Sequence, residues 1–123
     1  MTQKVTIWHY PQCSKSRKTL AILRDEGLDV EIRRYRVDPP DANELKEAID
    51  QLGIAPRQLV RTNEDIVQDL DVASDQLGDA DWIELMAEHP VIIERPVVFG
   101  DGDAALGRPP ESIYEILPST TEG

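Results

Sequence analysis

The stretch Lys4-Val-Thr-Ile-Trp-His-Tyr-Pro-Gln-Cys13-Ser-Lys-Ser-Arg-Lys-Thr-Leu20 decides how the chain is read. Val5 and Ile7 alternate with Thr6, the period of a strand. Pro11 breaks that pattern, and from Ser14 to Glu26 the spacing is helical. Leu20 and Leu23 form an apolar stripe, Ser14 or Ser16 is placed to cap the first turn, and Gly27 stands where a left-handed C′ residue belongs. Cys13 thus falls between the end of a strand and the start of a helix. Unpaired backbone N–H groups and the helix dipole favour a thiolate there.

Outward from this stretch, Val30 to Val37 reads as a second strand, parallel to the first because a helix joins them. Asp38-Pro-Pro-Asp-Ala-Asn is a turn and helix start, followed by Leu45, Ile49 and Leu52 at helical spacing and closed by Gly53. Pro56 to Val60 is one short helical turn. Thr62-Asn-Glu-Asp has the pattern of a capping box for a helix running to Leu70. Asp79-Ala-Asp-Trp opens another helix, which carries Ile83, Met86 and Ala87 and stops at His89-Pro90. The spacing predicts no strand between Asp38 and His89. Val97 to Phe99 is a short strand, Asp101-Gly-Asp a hairpin turn, and Ala104 to Leu106 a last strand. Arg108-Pro-Pro-Glu opens a final helix with Ile113, Ile116 and Leu117 on one face, ended by Pro118 and a polar tail. This order predicts an α/β, thioredoxin-like fold, a βαβ … ββα mixed sheet in a single domain 1–123 with a helical insertion over about 39–89. In that plan the turn after the first strand is the active site, and a cis-proline before the third strand, here Pro96, faces it.

Composition narrows the function classes. The chain has 123 residues, 40% hydrophobic and 30% charged, and a formal net charge of -11. That charge argues against nucleic acid or an anionic membrane as the main partner. No apolar run approaches the ~20 residues of a membrane span, and Met1-Thr-Gln-Lys-Val enters a strand without the apolar stretch of a signal peptide. A cytoplasmic, monomeric protein is expected. Nine of the thirteen basic residues are arginine, the better side chain for bidentate oxyanion recognition; a codon-usage origin for this bias is an equal alternative.

Cys13 is the only cysteine. Its neighbours Pro11, Gln12, Ser14, Lys15 and Ser16 are polar or turn-forming, so the thiol is expected to be accessible, with Lys15, Arg17 and Lys18 nearby. Dithiol redox work needs Cys-x-x-Cys, and Ser16 occupies the second position. Any disulfide of Cys13 must therefore form with another molecule. Arg61, Arg95 and Arg108 are the candidates to hold an anion beside the thiolate. Arg95 and Arg108 each precede a proline, which holds their backbone extended; from spacing alone a surface role for each arginine is the stronger alternative. His9 is either a base for the thiol or a hydrogen-bonding residue at the strand end. The hydroxyls of Ser14 and Ser16 can donate to the sulfur or to an oxyanion, or simply cap the helix. Two histidines and one cysteine make a zinc site improbable, and no cofactor is expected to be bound.

Four segments carry a resemblance: Ile7-Trp-His-Tyr-Pro-Gln-Cys-Ser-Lys-Ser-Arg-Lys-Thr-Leu20, Gln58-Leu-Val-Arg-Thr-Asn63, His89-Pro-Val-Ile-Ile-Glu-Arg-Pro-Val-Val98 and Gly107-Arg-Pro-Pro-Glu111. In their order the chain resembles the ArsC-type arsenate reductases, the glutathione- and glutaredoxin-coupled class. Cys13-Ser-Lys-Ser16, in place of Cys-Gly-Thr-Ser, and the short end after the last helix look more like the chromosomal members than the plasmid-borne ones. The resemblance implies Cys13 as nucleophile, His9 as a residue that tunes it, Arg61, Arg95 and Arg108 as substrate-binding cations, and Pro96 as the cis-proline. It implies arsenate as substrate, glutathione as co-substrate and glutaredoxin as partner. Two alternatives stand beside this: a glutathione-dependent thiol oxidoreductase acting on another substrate, and a transcription regulator like Spx, against which Ser16 counts because it removes the Cys-x-x-Cys switch.

Overall fold

The computed structural model describes residues 4–61, 77–100 and 102–117. The expected helix from Thr62 to Leu70, Asp101 of the hairpin turn, and Pro118 with the polar tail lie outside the described residues. The chain divides into two compact units, Met1–Arg33 with Arg95–Gly123, and Arg34–Glu94. The second unit is wider at both ends than the insertion read from the sequence.

The first unit holds a four-stranded sheet in the order β2-β1-β3-β4. Strand β1 (Lys4–Trp8) pairs in parallel with β2 (Asp29–Arg33), Val5 opposite Val30 and Ile7 opposite Ile32. On its other side β1 pairs antiparallel with β3 (Val97–Phe99), and β3 with β4 (Ala104–Leu106). Helix α1 (Ser14–Asp25) crosses between β1 and β2. It buries Ser16, Thr19, Leu20 and Leu23, the i, i+3, i+4, i+7 face. Leu20 and Leu23 meet Val5, Ile7, Val98, Ala105 and Ile113 in one core cluster; fully burying a leucine of this kind contributes about 1.5–3 kcal/mol. The helix ends in a left-handed Gly27 at φ 73, whose N–H donates to Arg24 O while that of Leu28 donates to Leu23 O. Together these elements form the thioredoxin-like α/β arrangement.

Three sequence expectations are corrected here. Strand β2 stops at Arg33 instead of running to Val37, because its partner β1 ends at Trp8; Arg34 O instead accepts from Val37 N–H and Asp38 N–H in a turn. The final helix is a 3₁₀ helix over Pro110–Ile116, a tighter form that suits a short proline-led segment. Neither Ser14 nor Ser16 caps α1: the N-cap is Cys13, with no side-chain cap bond.

In the second unit, α2 (Ala42–Leu52) begins with a capping box between Asp41 and Glu44 and packs against α3 (Asp79–Glu88). Short 3₁₀ turns at Pro56–Leu59 and Pro90–Ile92 pack on α3. Among the described residues this unit has no strand, only a one-pair antiparallel bridge between Val60 and Ile93. No helix among the described residues is long and apolar enough to cross a membrane.

Candidate active site

Cys13 sits where β1 has ended and α1 begins. Its N–H donates to Tyr10 O at 3.0 Å, closing a turn with Pro11 at the second position. Its own carbonyl accepts from Arg17 N–H at 3.0 Å, the first bond of the helix. Arg17 Nη1 also donates to Pro11 O at 2.9 Å, and Tyr10 Oη to Gln12 Oε1 at 2.7 Å. The loop is thus held from both sides, and the thiol remains half-buried.

Several forces set the acidity of that thiol. Partial burial pushes its pKa up; the backbone N–H of Ser16, the Arg95 side chain and the backbone N–H of Lys15 all hydrogen-bond the sulfur, and the Arg95 charge adds to them. The balance leaves the Cys13 pKa below its ordinary value. The helix N-terminus supplies donors with no helical acceptor, and the arginine supplies the charge.

Arg95 reaches the sulfur from the segment before β3. Its guanidinium lies 5.0 Å from the centroid of the Tyr10 ring, a cation–π contact. The Arg95–Pro96 peptide is cis, and so is Arg108–Pro109, which the sequence reading does not anticipate. Arg108 Nη1 donates to Arg95 O at 3.1 Å, and Gly107 N–H donates to Pro96 O at 2.9 Å. Gly107 is needed for this approach: a Cβ there would stand 2.5 Å from Thr19 Oγ1 and 2.7 Å from Pro96 Cγ.

His9 and Ser16 form a buried pair. His9 Nδ1 and Ser16 Oγ are 2.7 Å apart, and Ser16 Oγ accepts from Tyr10 N–H at 3.1 Å. Ser16 is fully buried and His9 is 6% exposed. The Ser16 hydroxyl is thus turned inward, unlike the oxyanion contact expected from the sequence, and Ser16 meets the thiol through its backbone N–H. Ser14 is exposed on the first helical position.

Arg61 belongs to the second unit. Its N–H donates to Ile92 O at 2.7 Å beside the Val60–Ile93 bridge, and its guanidinium pairs with Glu94 Oε1 at 2.9 Å. Within the first unit, then, Cys13, Arg95 and Arg108 are linked in one chain of contacts. Sequence reasoning missed Tyr10, which stacks on Arg95, and Thr19 and Glu94. Thr19 was within reach, since residues 16, 19, 20 and 23 share one helical face.

A lone thiol at the N-terminus of α1, acidified by backbone donors and an arginine before a cis-proline, defines a single-cysteine protein of the thioredoxin-like class. The family model described as the ArsC family matches residues 8–116, and the chain belongs to that family. It is 38% identical over 119 residues to an arsenate reductase of Escherichia coli, covering 97% of this chain and 84% of that one. It is 40% identical over 118 residues to an uncharacterised Escherichia coli protein, YfgD, covering 95% of this chain and 99% of that one. Among solved structures, the arsenate reductase from Vibrio cholerae matches with a TM-score of 0.92 and 42% identity, covering 95% of this chain and all of that one.

Proposed function

We propose that this protein is an arsenate reductase that uses glutathione and glutaredoxin. The observation that carries it is the contact between Cys13 and Arg95, which gives one thiol both an acidic character and a fixed cation beside it. Family membership supports an oxidoreductase.

In the first step the Cys13 thiolate attacks arsenic(V). An S–As bond forms and one arsenate oxygen leaves as water after taking up protons. A glutathione thiolate then attacks Cys13 Sγ. An S–S bond forms, the S–As bond breaks, and its electron pair stays on arsenic, which leaves as arsenite. The two sulfurs are oxidised as arsenic is reduced. A glutaredoxin thiolate takes the glutathionyl group by exchange, with Cys13 thiolate as leaving group. No second thiol of this chain is available, since Cys13 is its only cysteine.

Arg95 and Arg108 offset the charge that accumulates when a thiolate meets an oxyanion. His9 acts as a positioning residue: it holds Ser16, whose N–H holds the sulfur. The enzyme carries no bound cofactor and works as a monomer in the cytoplasm, where glutathione keeps thiols reduced.

The test is a coupled assay with arsenate, glutathione, glutaredoxin and an NADPH-linked reductase. Arsenate-dependent NADPH oxidation that disappears in Cys13→Ser is expected. A rate independent of arsenate, or undiminished in Cys13→Ser, would overturn the proposal.

A further inference from the structure

A groove of about 470 Å³ runs along α1 in the same unit as the thiol. Pro11, Leu20 and Ala21 form its apolar part, and Arg17, Arg24 and Asp25 its charged part, with His9 at one side. Positions 17, 20, 21 and 24 follow one stripe of a helix, and Pro11, two residues before Cys13, lines the upper end of the groove. Arg17 and Arg24 are exposed. On a chain of net charge -11, two guanidinium groups beside one groove are a local reversal of sign.

We propose that this groove binds glutathione, lying along α1 below the turn that bears Cys13. The assignment rests on glutathione being the thiol donor, as argued above, and adds where it is held. Glutathione carries two carboxylates and one ammonium. Arg17 and Arg24 offer two forks for the carboxylates, Asp25 a partner for the ammonium, and Leu20 with Ala21 a floor for the peptide between them. The lengths agree: at about 1.5 Å rise per residue, positions 17 and 24 are about 10 Å apart along the helix axis, close to a tripeptide extended at about 3.3 Å per residue. The volume lies in the usual range for small-molecule sites, about 300–1,000 Å³. Arg17 also donates to Pro11 O, which ties the upper end of the groove to the loop of the thiol.

The experiment uses the intact protein and S-methylglutathione, which cannot form a disulfide, followed by calorimetry or NMR titration. Arg24 is the cleaner position, since no loop bond of the Cys13 turn depends on it. Arg24→Ala is expected to raise the Kd about tenfold, the loss of a charge-assisted hydrogen bond, Arg24→Glu more, and Asp25→Asn less. The KM for glutathione in the coupled assay should rise in parallel. Lys18→Glu changes the helix charge equally but its side chain lies outside the groove, and should have the smaller effect. Unaltered binding in both Arg24 variants, or equal losses in Lys18→Glu and Arg24→Glu, would overturn the groove assignment even with glutathione confirmed as donor. Turnover that proceeds equally with any thiol would instead overturn the donor, while binding of S-methylglutathione still decides whether the groove holds such a peptide.

Discussion

Arg108 Nη1 donates to the main-chain carbonyl of Arg95 at 3.1 Å, so one pre-proline arginine is anchored on the backbone of the other. Arg95 in turn hydrogen-bonds the Cys13 sulfur. The segment before β3 and the segment after β4 are thereby fixed to each other and to the N-terminus of α1, with Gly107 N–H on Pro96 O as the second tie.

This anchoring predicts different outcomes for the two simplest changes at Arg108. Arg108→Ala removes a charge and the clip on Arg95, and kcat/KM for arsenate should fall by about 10²–10³, the scale for loss of one oxyanion-stabilising group. Arg108→Lys retains charge but loses the planar fork, and should fall in between. Steady-state kinetics with arsenate varied would check this; a wild-type kcat/KM in Arg108→Ala would show that Arg108 handles no anion.

The acidity of Cys13 predicts a pH profile. Alkylation by iodoacetamide should follow a titration centred below the ~8.5 of a free cysteine, and Arg95→Ala should move the midpoint upward by removing both a hydrogen bond and a charge. The same shift bears on stability. The folded thiol pKa is depressed, so Cys13 adds stability that is fully present above the unfolded value of about 8.5 and is lost as pH falls through the folded value. The stability of the native chain relative to Cys13→Ser should therefore decrease on acidification through that window. Denaturant titrations of both chains at several pH values measure it, and a difference that is flat or grows on acidification would contradict the depressed pKa.

The local order was legible where one short-range pattern decides it. The alternation of Val5 and Ile7, the Leu20–Leu23 stripe and Gly27 define βαβ without any distant contact. What escaped reading depends on partners far along the chain. The end of β2 at Arg33 is set by where β1 stops, not by its own apolar residues, which continue to Val37. Ser16 looked like a cap because serine favours that position, yet it is buried on the core face, bonded to His9 and Tyr10. Arg95 beside Cys13 joins residues far apart in the chain, and no periodicity reports such a pairing. The second cis peptide, at Arg108–Pro109, is likewise invisible locally, since only about 5–6% of X–Pro bonds in folded proteins are cis.

Ser16→Ala tests the inward-facing hydroxyl. The change leaves Tyr10 N–H without that acceptor and His9 Nδ1 without its partner at 2.7 Å. Loss of about 1–3 kcal/mol is expected, the range for stranding a buried polar group, and Ser16→Thr should not restore it because the site is fully enclosed and an added methyl has no room. Thermal or denaturant unfolding provides the measurement. An unchanged stability would mean that the His9–Ser16 contact does not order the loop.

Gly107→Ala reaches the site through packing alone. The new Cβ would stand 2.5 Å from Thr19 Oγ1 and 2.7 Å from Pro96 Cγ, distances that force one neighbour to move. Thr19 is fully buried and its hydroxyl donates to Lys15 O at 2.8 Å, so it yields poorly; Pro96 follows Arg95. Destabilisation of about 1–3 kcal/mol is expected for such overpacking, together with reduced arsenate turnover as Arg95 shifts from the sulfur. Thr19→Ala in the same chain removes the nearer clash and leaves the one with Pro96. The double variant should therefore be more stable than the sum of the two single losses predicts, a coupling typical of residues in contact. Unfolding of the four chains measures this coupling, and strict additivity would show that Gly107 is not wedged between α1 and the cis-proline.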